Sequence, residues 1–142
     1  MDAVSDPPAR PKAATWTLRV DGLVTTPIEL TRDELIELVT ADPSIEPSAV
    51  GERRWLGTPL ANVVRRAKPL PTATALYVHA EGFRTLLGLD VLDTALLVTH
   101  ADGAPLTREL GGPCRLIIPG EVGRRNVKWV GRIELFRRRR DK

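Results

Sequence analysis

The 142-residue sequence contains only one cysteine, Cys114, so a disulfide cannot form within the chain. Its apolar runs are a few residues long, whereas a membrane-spanning helix needs about 20 apolar residues. Residues 1–14 contain neither an apolar signal core nor a pair of arginines before one. We therefore expect a cytoplasmic domain that is neither stapled by disulfides nor inserted in a membrane.

Sequence motifs for nucleotide binding, phosphate binding and thiol redox chemistry are also missing: the chain has no G-x-G-x-x-G, no G-x-x-x-x-G-K-[ST] and no C-x-x-C. The two histidines, His79 and His100, are isolated and end different predicted strands. We expect a structural role for both. The alternative for His79 is that it supports residues that contact a ligand without touching the ligand itself. Asp90, Asp93 and Asp102 fit caps and turns, and no acid–base pair is evident.

The composition is that of one folded domain. Hydrophobic residues make up 42% of the chain, and its length suffices for a single core. The net charge of +3 is mild, so a nucleic-acid partner is not expected, while a protein partner stays open. We expect a flexible segment at residues 1–14, a domain at 15–136 and a basic tail at 137–142.

Alternation of apolar and polar residues predicts a series of short strands. Residues 16–20 have this spacing; Asp21 and Gly22 then indicate a hairpin turn, with the return strand beginning at residues 23–24. Residues 83–89 are either extended or irregular. The other predicted strands cover residues 27–30, 75–80, 95–100, 114–118 and 132–136.

Two helices are predicted among these strands. Thr31, with Glu34 three residues later, is a capping-box pattern for the first. The second is predicted with Thr58 as its cap and Pro59 at its first position. Its buried stripe would consist of Leu60, Val63, Val64 and Ala67. Residues 44–54 carry proline and glycine and are predicted to form a loop. Short strands with a few helices predict an α+β domain with mixed or antiparallel sheets.

The most informative stretch is residues 111–129, GGPCRLIIPGEVGRRNVKW. Strand periodicity puts Cys114, Leu116 and Ile118 on one face, and Arg115 with Ile117 on the other. Glycines and prolines on both sides of this run are typical of turns. Arg115 is thus predicted to face away from its apolar neighbours in the chain.

Glycines and cations follow this strand. Gly120 and Gly123 leave the backbone bare, so that amide groups can approach a ligand. Arg115, Arg124 and Lys128 can supply charge-assisted hydrogen bonds to a phosphate. The pattern indicates a phosphate-binding loop for a phosphorylated small molecule. The alternative is a solvated basic loop beside an edge strand, since charge runs usually lie at the surface.

The same stretch resembles the closing segment of the molybdopterin-binding domain of the sulfite oxidase superfamily. That segment reads roughly H-G-x-P-x-R-L-x-x-P-G, a glycine loop, V-K-W and a final strand, and here it is GGPCRLIIPGEVGRRNVKWVGRIEL. The resemblance continues upstream through RWLGTPLANVVRRA, ALYVHAEGF and LDVLDTALLVTHADGAPL. It implies a sulfite-oxidase-type α+β fold and molybdopterin as the cofactor.

For single residues, the resemblance implies a cofactor site near the end of the domain. The family's arginine is Arg115 and its lysine is Lys128, and both are expected to contact the phosphate or the pterin edge of the cofactor. The loop before V-K-W is expected to donate backbone amides. The implied cofactor-binding set is Arg115, Gly123, Arg124, Asn126, Val127 and Lys128.

Two positions depart from the family pattern. Leu110 replaces the histidine before G-x-P, and residues 42–54 contain no counterpart of the cysteine whose thiolate ligates molybdenum. Ser48 is nearest to the place of that cysteine, but a hydroxyl is a poor ligand for a soft metal centre. Cys114 fits a small buried hydrophobe. We therefore assign no metal ligand.

Two hypotheses about function follow. In the first, the chain is a molybdopterin-binding oxidoreductase domain that acts on a small oxyanion or a sulfoxide-type substrate. In the second, it is a degenerate member that keeps the fold without molybdenum or catalysis and acts as a binding or interaction module. Arg115 and V-K-W favour the first hypothesis, whereas the missing cysteine and histidine favour the second. Whether the chain is an enzyme stays open.

Overall fold

The computed structural model describes residues 16–119 and 126–139, which form β-strands, two short α-helices and several 3₁₀ turns. The helices are α1 (Arg32–Thr40) and α2 (Leu60–Val64). The strands are β1 (Thr17–Gly22), β2 (Ile28–Thr31), β3 (Ser48–Val50), β4 (Arg53–Pro59), β5 (Ala75–Ala80), β6 (Phe83–Gly88), β7 (Leu96–Ala101), β8 (Ala104–Pro105), β9 (Arg115–Ile117) and β10 (Val130–Phe136).

These strands form two sheets. The first has the order β2-β1-β10-β5-β6, and the second has the order β3-β4-β7-β8, with β9 paired to β7. The pairing of β1 with β10 is parallel, and the other pairs are antiparallel. The predicted α+β domain with mixed and antiparallel sheets is therefore confirmed, as are the strands at 75–80, 95–100 and 132–136 to within two residues.

The first strand is confirmed, but the hairpin predicted directly after it is wrong. Residues 23–24 do not return along β1; Val24 instead forms an isolated bridge with Pro69. The antiparallel partner of β1 is β2, which confirms the strand predicted at 27–30. The turn comes later because β1 continues through Gly22, which pairs with Leu135 of β10. A Cβ at Gly22 would lie 2.2 Å from the Leu135 carbonyl oxygen, so a larger residue does not fit there.

The capping box of α1 is confirmed. The Thr31 hydroxyl accepts a hydrogen bond from the Glu34 amide (3.1 Å), and the Glu34 carboxylate accepts one from the Thr31 amide (2.8 Å). Leu35 and Val39, four residues apart on one helical face, are buried.

The loop predicted over residues 44–54 is correct up to residue 47 and wrong beyond it, because β3 and the start of β4 form a hairpin over residues 48–54. The residues that suggested a loop occupy the ends of the strands: Pro47 precedes β3, and Gly51 (φ +67°) lies in the turn between β3 and β4. The Arg54 amide is fixed by the Asp102 carboxylate at 3.0 Å. Cross-strand partners, which local periodicity does not reveal, therefore order this segment.

The start of the second helix also differs from the prediction. β4 continues through Pro59, whose backbone is extended (φ −55°, ψ 140°), and no side chain caps α2. The Thr58 hydroxyl accepts a hydrogen bond from the Asn62 side chain (3.1 Å) and does not reach a backbone amide. The predicted stripe is nevertheless buried, because Leu60, Val63, Val64 and Ala67 all lie in the main core.

The second sheet is covered by apolar side chains on both faces. The main core cluster contains buried residues from both sheets and both helices. A smaller cluster on the opposite face of the second sheet consists of Trp55, Val98, Ala101, Leu106 and Ile117. Among the described residues, no helix is both long enough and apolar enough to cross a membrane.

Candidate anion-binding site

β9 divides its side chains between these two clusters, as the periodicity predicted. Cys114, Leu116 and Ile118 are buried in the main core, and Ile117 lies in the smaller cluster with Trp55. Arg115 lies on the Trp55 side as well, with its guanidinium carbon 4.8 Å from the centre of the indole ring. Arg115 is therefore held outside the main core by the alternation of the strand.

A 3₁₀ turn at Arg108–Leu110 precedes β9. The Thr107 hydroxyl caps it by accepting a hydrogen bond from the Leu110 amide at 3.3 Å. The turn ends at Gly111 in the left-handed conformation, with φ +106°. The carbonyl groups at the end of such a turn need hydrogen-bond donors from elsewhere.

Three side chains from later in the sequence supply those donors. Trp129 Nε1 donates to the Arg108 carbonyl at 2.9 Å, and Lys128 Nζ donates to the Glu109 carbonyl at 2.9 Å. Arg115 Nη1 donates to the Leu110 carbonyl at 3.0 Å. The two cations that the sequence singled out are thus brought to consecutive carbonyls of one turn.

Gly111 lies between these two cations. A Cβ built on Gly111 would be 2.9 Å from Cγ of Lys128 and 3.0 Å from Cδ of Arg115. A side chain is therefore disfavoured at this position both by space and by the positive φ. We call the arrangement of Gly111, Arg115 and Lys128 around the carbonyls of residues 109 and 110 the Gly111 corner.

The guanidinium of Arg115 is only partly satisfied by the chain. Its Nε is buried and has no hydrogen-bond partner among the described residues. Burial lowers the pKa of Arg115, and the positive charge of nearby Arg53 lowers it further. A buried donor without an acceptor costs about 1–3 kcal/mol, so the fold does not use the full hydrogen-bonding capacity of this guanidinium.

Trp129 holds the backbone beside Lys128. It has φ +58°, which is rare for an aromatic residue, and its amide donates to the Gly111 carbonyl at 3.1 Å. The Arg108 guanidinium lies 5.1 Å from the centre of the Trp129 ring and also pairs with Glu81. Sequence analysis missed Arg108, because its only local signal is a place shortly before the G-G-P turn.

The remaining residues of the predicted cofactor-binding set fall into two groups. Gly123 and Arg124 lie outside the described residues, as does Gly120. Asn126 accepts a hydrogen bond from the Ile118 amide at 2.9 Å. The prediction for Val127 is wrong. Its amide was expected to face a ligand, but it donates to the Leu116 carbonyl at 3.0 Å, because Val127 forms a bridge with Leu116 of β9.

The described residues contain no group of three or more His, Cys, Asp or Glu side chains placed to bind a metal ion. Cys114 is fully buried, and burial raises the pKa of its thiol well above the usual range. Its side chain lies on the face of β9 opposite to Arg115. Ser48, by contrast, is the cross-strand partner of Trp55, on which Arg115 stacks.

Both histidines have partners within the fold. His79 contacts the Glu134 carboxylate at 2.9 Å, and His100 contacts the Thr99 hydroxyl at 2.7 Å. Burial lowers the pKa of His100, with a smaller contribution from the charge of Arg32. The structural roles expected for these residues agree with the contacts.

Comparison with known proteins adds to this geometry. The chain is similar to the NAD(P)H nitrate reductase of Hordeum vulgare, with 30% identity over 88% of this chain and 19% of that protein. It is 33% identical to the mitochondrial sulfite oxidase of Homo sapiens over 61% of this chain and 18% of that protein. The chain thus spans about a fifth of the length of these curated relatives.

The fold has a solved counterpart. It matches the sulfane dehydrogenase SoxCD from Paracoccus pantotrophus with a TM-score of 0.75 and 22% identity, over 91% of this chain and 40% of that one. Residues 5–142 match the family described as the oxidoreductase molybdopterin binding domain. The chain therefore belongs to this molybdopterin-binding family, within the sulfite oxidase superfamily.

Proposed function

We propose that the Gly111 corner holds the phosphorylated end of molybdopterin, and that the domain is the cofactor-binding part of an oxidoreductase for a small oxyanion or a sulfoxide-type substrate. The observation that carries the proposal is the meeting of Arg115 and Lys128 on the two sides of Gly111. Two cations beside bare backbone suit a phosphate, because both charge and hydrogen-bond donors converge on one place.

The donors at the corner fit an anionic group. Arg115 donates through Nη1 to a carbonyl, while its buried Nε has no acceptor among the described residues. Lys128 donates one N–H to the Glu109 carbonyl, and its ammonium group has two further N–H donors. The carbonyls already orient both side chains, so an anion would bind without the entropy cost of ordering them.

Arg53 is a further cation near Arg115. Its charge is close enough to lower the pKa of Arg115, and its side chain is 46% exposed. It pairs with Asp102 at 2.8 Å, so it is held at the edge of the second sheet near the Trp55 side. Because the Asp102 carboxylate offsets its charge, Arg53 contributes less to the positive potential at the corner than Arg115 and Lys128 do.

The donor set does not fit a protein thiolate on the metal. The thiol of Cys114 is buried in the main core, so the sulfur ligands would be those of the cofactor alone. Molybdopterin supplies the redox chemistry when it is bound, and the residues of this chain bind and orient it.

Metal and pterin analysis of protein expressed with molybdate tests the proposal. We expect stoichiometric molybdenum and pterin in the wild type and their loss in Arg115→Ala. Arg65→Ala is the matched control, because Arg65 is exposed and pairs with Asp93 on the surface. A wild type without pterin, or an Arg115→Ala variant with unchanged cofactor content, would rule the proposal out; thermal unfolding checks that the variant folds.

The second candidate function is a binding module without molybdenum, and the burial of Cys114 favours it. Ser48→Cys separates the candidates, since directly opposed residues of an antiparallel pair share a face and Ser48 lies opposite Trp55. If the domain holds the pterin, a thiol here should make the bound molybdenum dissociate more slowly during dialysis than it does from the wild type. A domain that never holds the pterin should stay free of molybdenum in both forms.

A further inference from the structure

The two edges of the first sheet differ in how they are protected. β2 is four residues long, follows Pro27 and leads directly into α1. β6 has six residues, all paired with β5 without a bulge, and it contains neither proline nor an acidic residue. Such protections normally keep the unpaired N–H and C=O groups of an edge strand from pairing with another chain. β6 is thus an open edge in the part of the chain that the structure describes.

Apolar side chains accompany this open edge. In the described ranges, the exposed large hydrophobic residues are Leu70 (36%), Phe83 (49%) and Leu86 (38%), and the last two belong to β6. Leu86 lies opposite Tyr77, whose ring stacks on Phe136 with the centroids 4.5 Å apart and the planes within 8°. An apolar row therefore crosses the outer face of the sheet and ends at the free edge.

The hairpin between β5 and β6 determines which backbone groups are available. Ala80 and Phe83 close a two-residue turn, so they exchange hydrogen bonds with each other. The alternation that follows directs the N–H and C=O groups of Arg84, Leu86 and Gly88 away from β5. The outward backbone groups thus belong to the residues whose side-chain positions lie on the outer face.

Opposite charges stand at the two ends of this outward row. The Arg84 guanidinium lies 3.9 Å from the centre of the Tyr77 ring. At the other end, the Asp90 carboxylate fills the side-chain position of Gly88, since a Cβ there would be 2.6 Å from its Oδ1. Neither Arg84 nor Asp90 has an ion-pair partner among the described residues.

We propose that two copies of this chain associate through antiparallel pairing of β6 with β6. In the pairing, Leu86 lies opposite Leu86 of the second copy, and Arg84 lies opposite Gly88 and the Asp90 carboxylate beside it. With a two-fold axis through Leu86, Arg84 of each copy lies beside Asp90 of the other, so two equivalent ion pairs form. Such an isologous contact uses the same surface on both copies and therefore produces a closed dimer. The apolar row then continues across the axis from one sheet to the other.

Charge distinguishes this register from those centred on Arg84 and Thr85. A register centred on Arg84 places the two arginines opposite each other, which is unfavourable. A register centred on Thr85 places Arg84 opposite Leu86 and leaves both ions unpaired. Of the registers centred on Arg84, Thr85 and Leu86, the last brings the positive end of each strand to the negative end of the other.

Sedimentation of the full chain from micromolar to millimolar concentration tests the association. We expect a monomer–dimer equilibrium that Leu86→Lys weakens at least about tenfold, since a lysine at the centre of the edge opposes pairing. Leu70→Lys is the matched control, because Leu70 is similarly exposed but lies outside β6, and its dimer should be unchanged. A wild type that is monomeric throughout, or a dimer that tolerates Leu86→Lys, overturns the proposal.

Charge exchange tests the register. Asp90→Arg should weaken the dimer by placing like charges together, and adding Arg84→Asp in the same chain should restore it. Leu86→Cys should form an intermolecular disulfide on oxidation, because the two Cα atoms would be within disulfide range. Cys114 is fully buried and does not compete. Failure of both the rescue and the cross-link overturns the proposal, as does hydrogen-exchange protection of the outward amides of Arg84, Leu86 and Gly88 in a monomer.

Discussion

Arg115 and Arg132 differ in what their guanidinium groups contact. The Nε of Arg132 donates to both carboxylate oxygens of Asp21, at 2.9 and 3.2 Å, and its Nη2 lies 3.7 Å from Glu134. Arg115 meets no carboxylate among the described residues; it donates to a backbone carbonyl and stacks on Trp55. The first guanidinium is neutralised by acidic neighbours, whereas the second is oriented by dipoles and keeps its charge.

This difference identifies the cation that is available to an outside anion. A carboxylate partner cancels the charge that would attract a phosphate, but a carbonyl only fixes the direction of the side chain. The same holds for Lys128, whose Nζ donates to a carbonyl. A residue type alone therefore does not indicate an anion site, because Arg132 is also an arginine on a β-strand.

The largest effect is expected from Gly111→Ala, because the change acts on both cations together. The new Cβ would press on Lys128 Cγ and Arg115 Cδ, and the residue would have to keep φ +106°. Strain of this kind costs about 1–3 kcal/mol. We expect loss of cofactor retention and a lower melting temperature, measured by pterin fluorescence and thermal unfolding.

Gly103→Ala is the matched control for that substitution. Gly103 also has a positive φ of +86°, but no atom lies within 4 Å of its would-be Cβ. The backbone strain should then appear without displacement of the cations, so stability should fall while cofactor content stays normal. Equal loss of cofactor in both variants would mean that strain, and not the corner, explains the result.

A smaller effect is expected from Arg115→Lys, compared with Arg132→Lys. Lysine keeps the charge at residue 115 but loses the planar group that stacks on Trp55 and the fork that reaches a carbonyl. We expect cofactor affinity to fall about tenfold at residue 115, which is about 1.4 kcal/mol, and to be unchanged at residue 132. Equal affinities in a titration with the released cofactor would contradict the contrast between the two arginines.

Lys128→Met should cost less than removal of Arg115. The methionine keeps most of the apolar stem but loses the ammonium group, which bonds to the Glu109 carbonyl and lies at an exposed site. Solvent screens such a charge, so we expect cofactor affinity to fall by a few-fold, with the loss fading as salt is added. A salt-independent loss would indicate that the residue acts through packing.

Structure follows from the sequence where a few neighbouring residues determine the outcome. The capping box of α1 depends on Thr31 and Glu34 alone, and the two faces of β9 follow from alternation. Both are local rules of backbone geometry and could be read directly from the order of residues.

The predictions from local sequence patterns are wrong where distant residues determine the structure. β3 is ordered by pairing with β4, and Arg54 by Asp102, which is 48 residues away in the chain. The parallel pairing that lengthens β1 comes from β10, at the other end of the domain. The sequence singled out Arg115 and Lys128, but the turn carbonyls to which they donate could not be predicted, because a carbonyl leaves no signature in the sequence.

The smallest expected effect concerns Asp102, which neutralises Arg53 as Asp21 neutralises Arg132. Its carboxylate accepts the Arg54 amide at 3.0 Å and the Arg53 guanidinium at 2.8 Å. The hydrogen bond from the Arg54 amide is the largest cause that lowers the pKa of Asp102 below 3.8, and the contact with Arg53 lowers it further. Since the folded protein then binds fewer protons than the unfolded chain, the contribution is present above pH 3.8 and is lost as the pH falls through the lower folded value.

Asp102→Asn isolates that charge, because asparagine tolerates the φ of +51° at this residue. We expect the urea midpoint of the wild type to exceed that of the variant by a small margin near about pH 5, and the margin to shrink towards about pH 3. Since Arg53 loses its partner in the variant, the corner should also bind phosphate slightly more tightly at neutral pH. Parallel midpoints across the whole range would show that Asp102 acts through its backbone turn, and that the carboxylate does not set the charge beside Arg115.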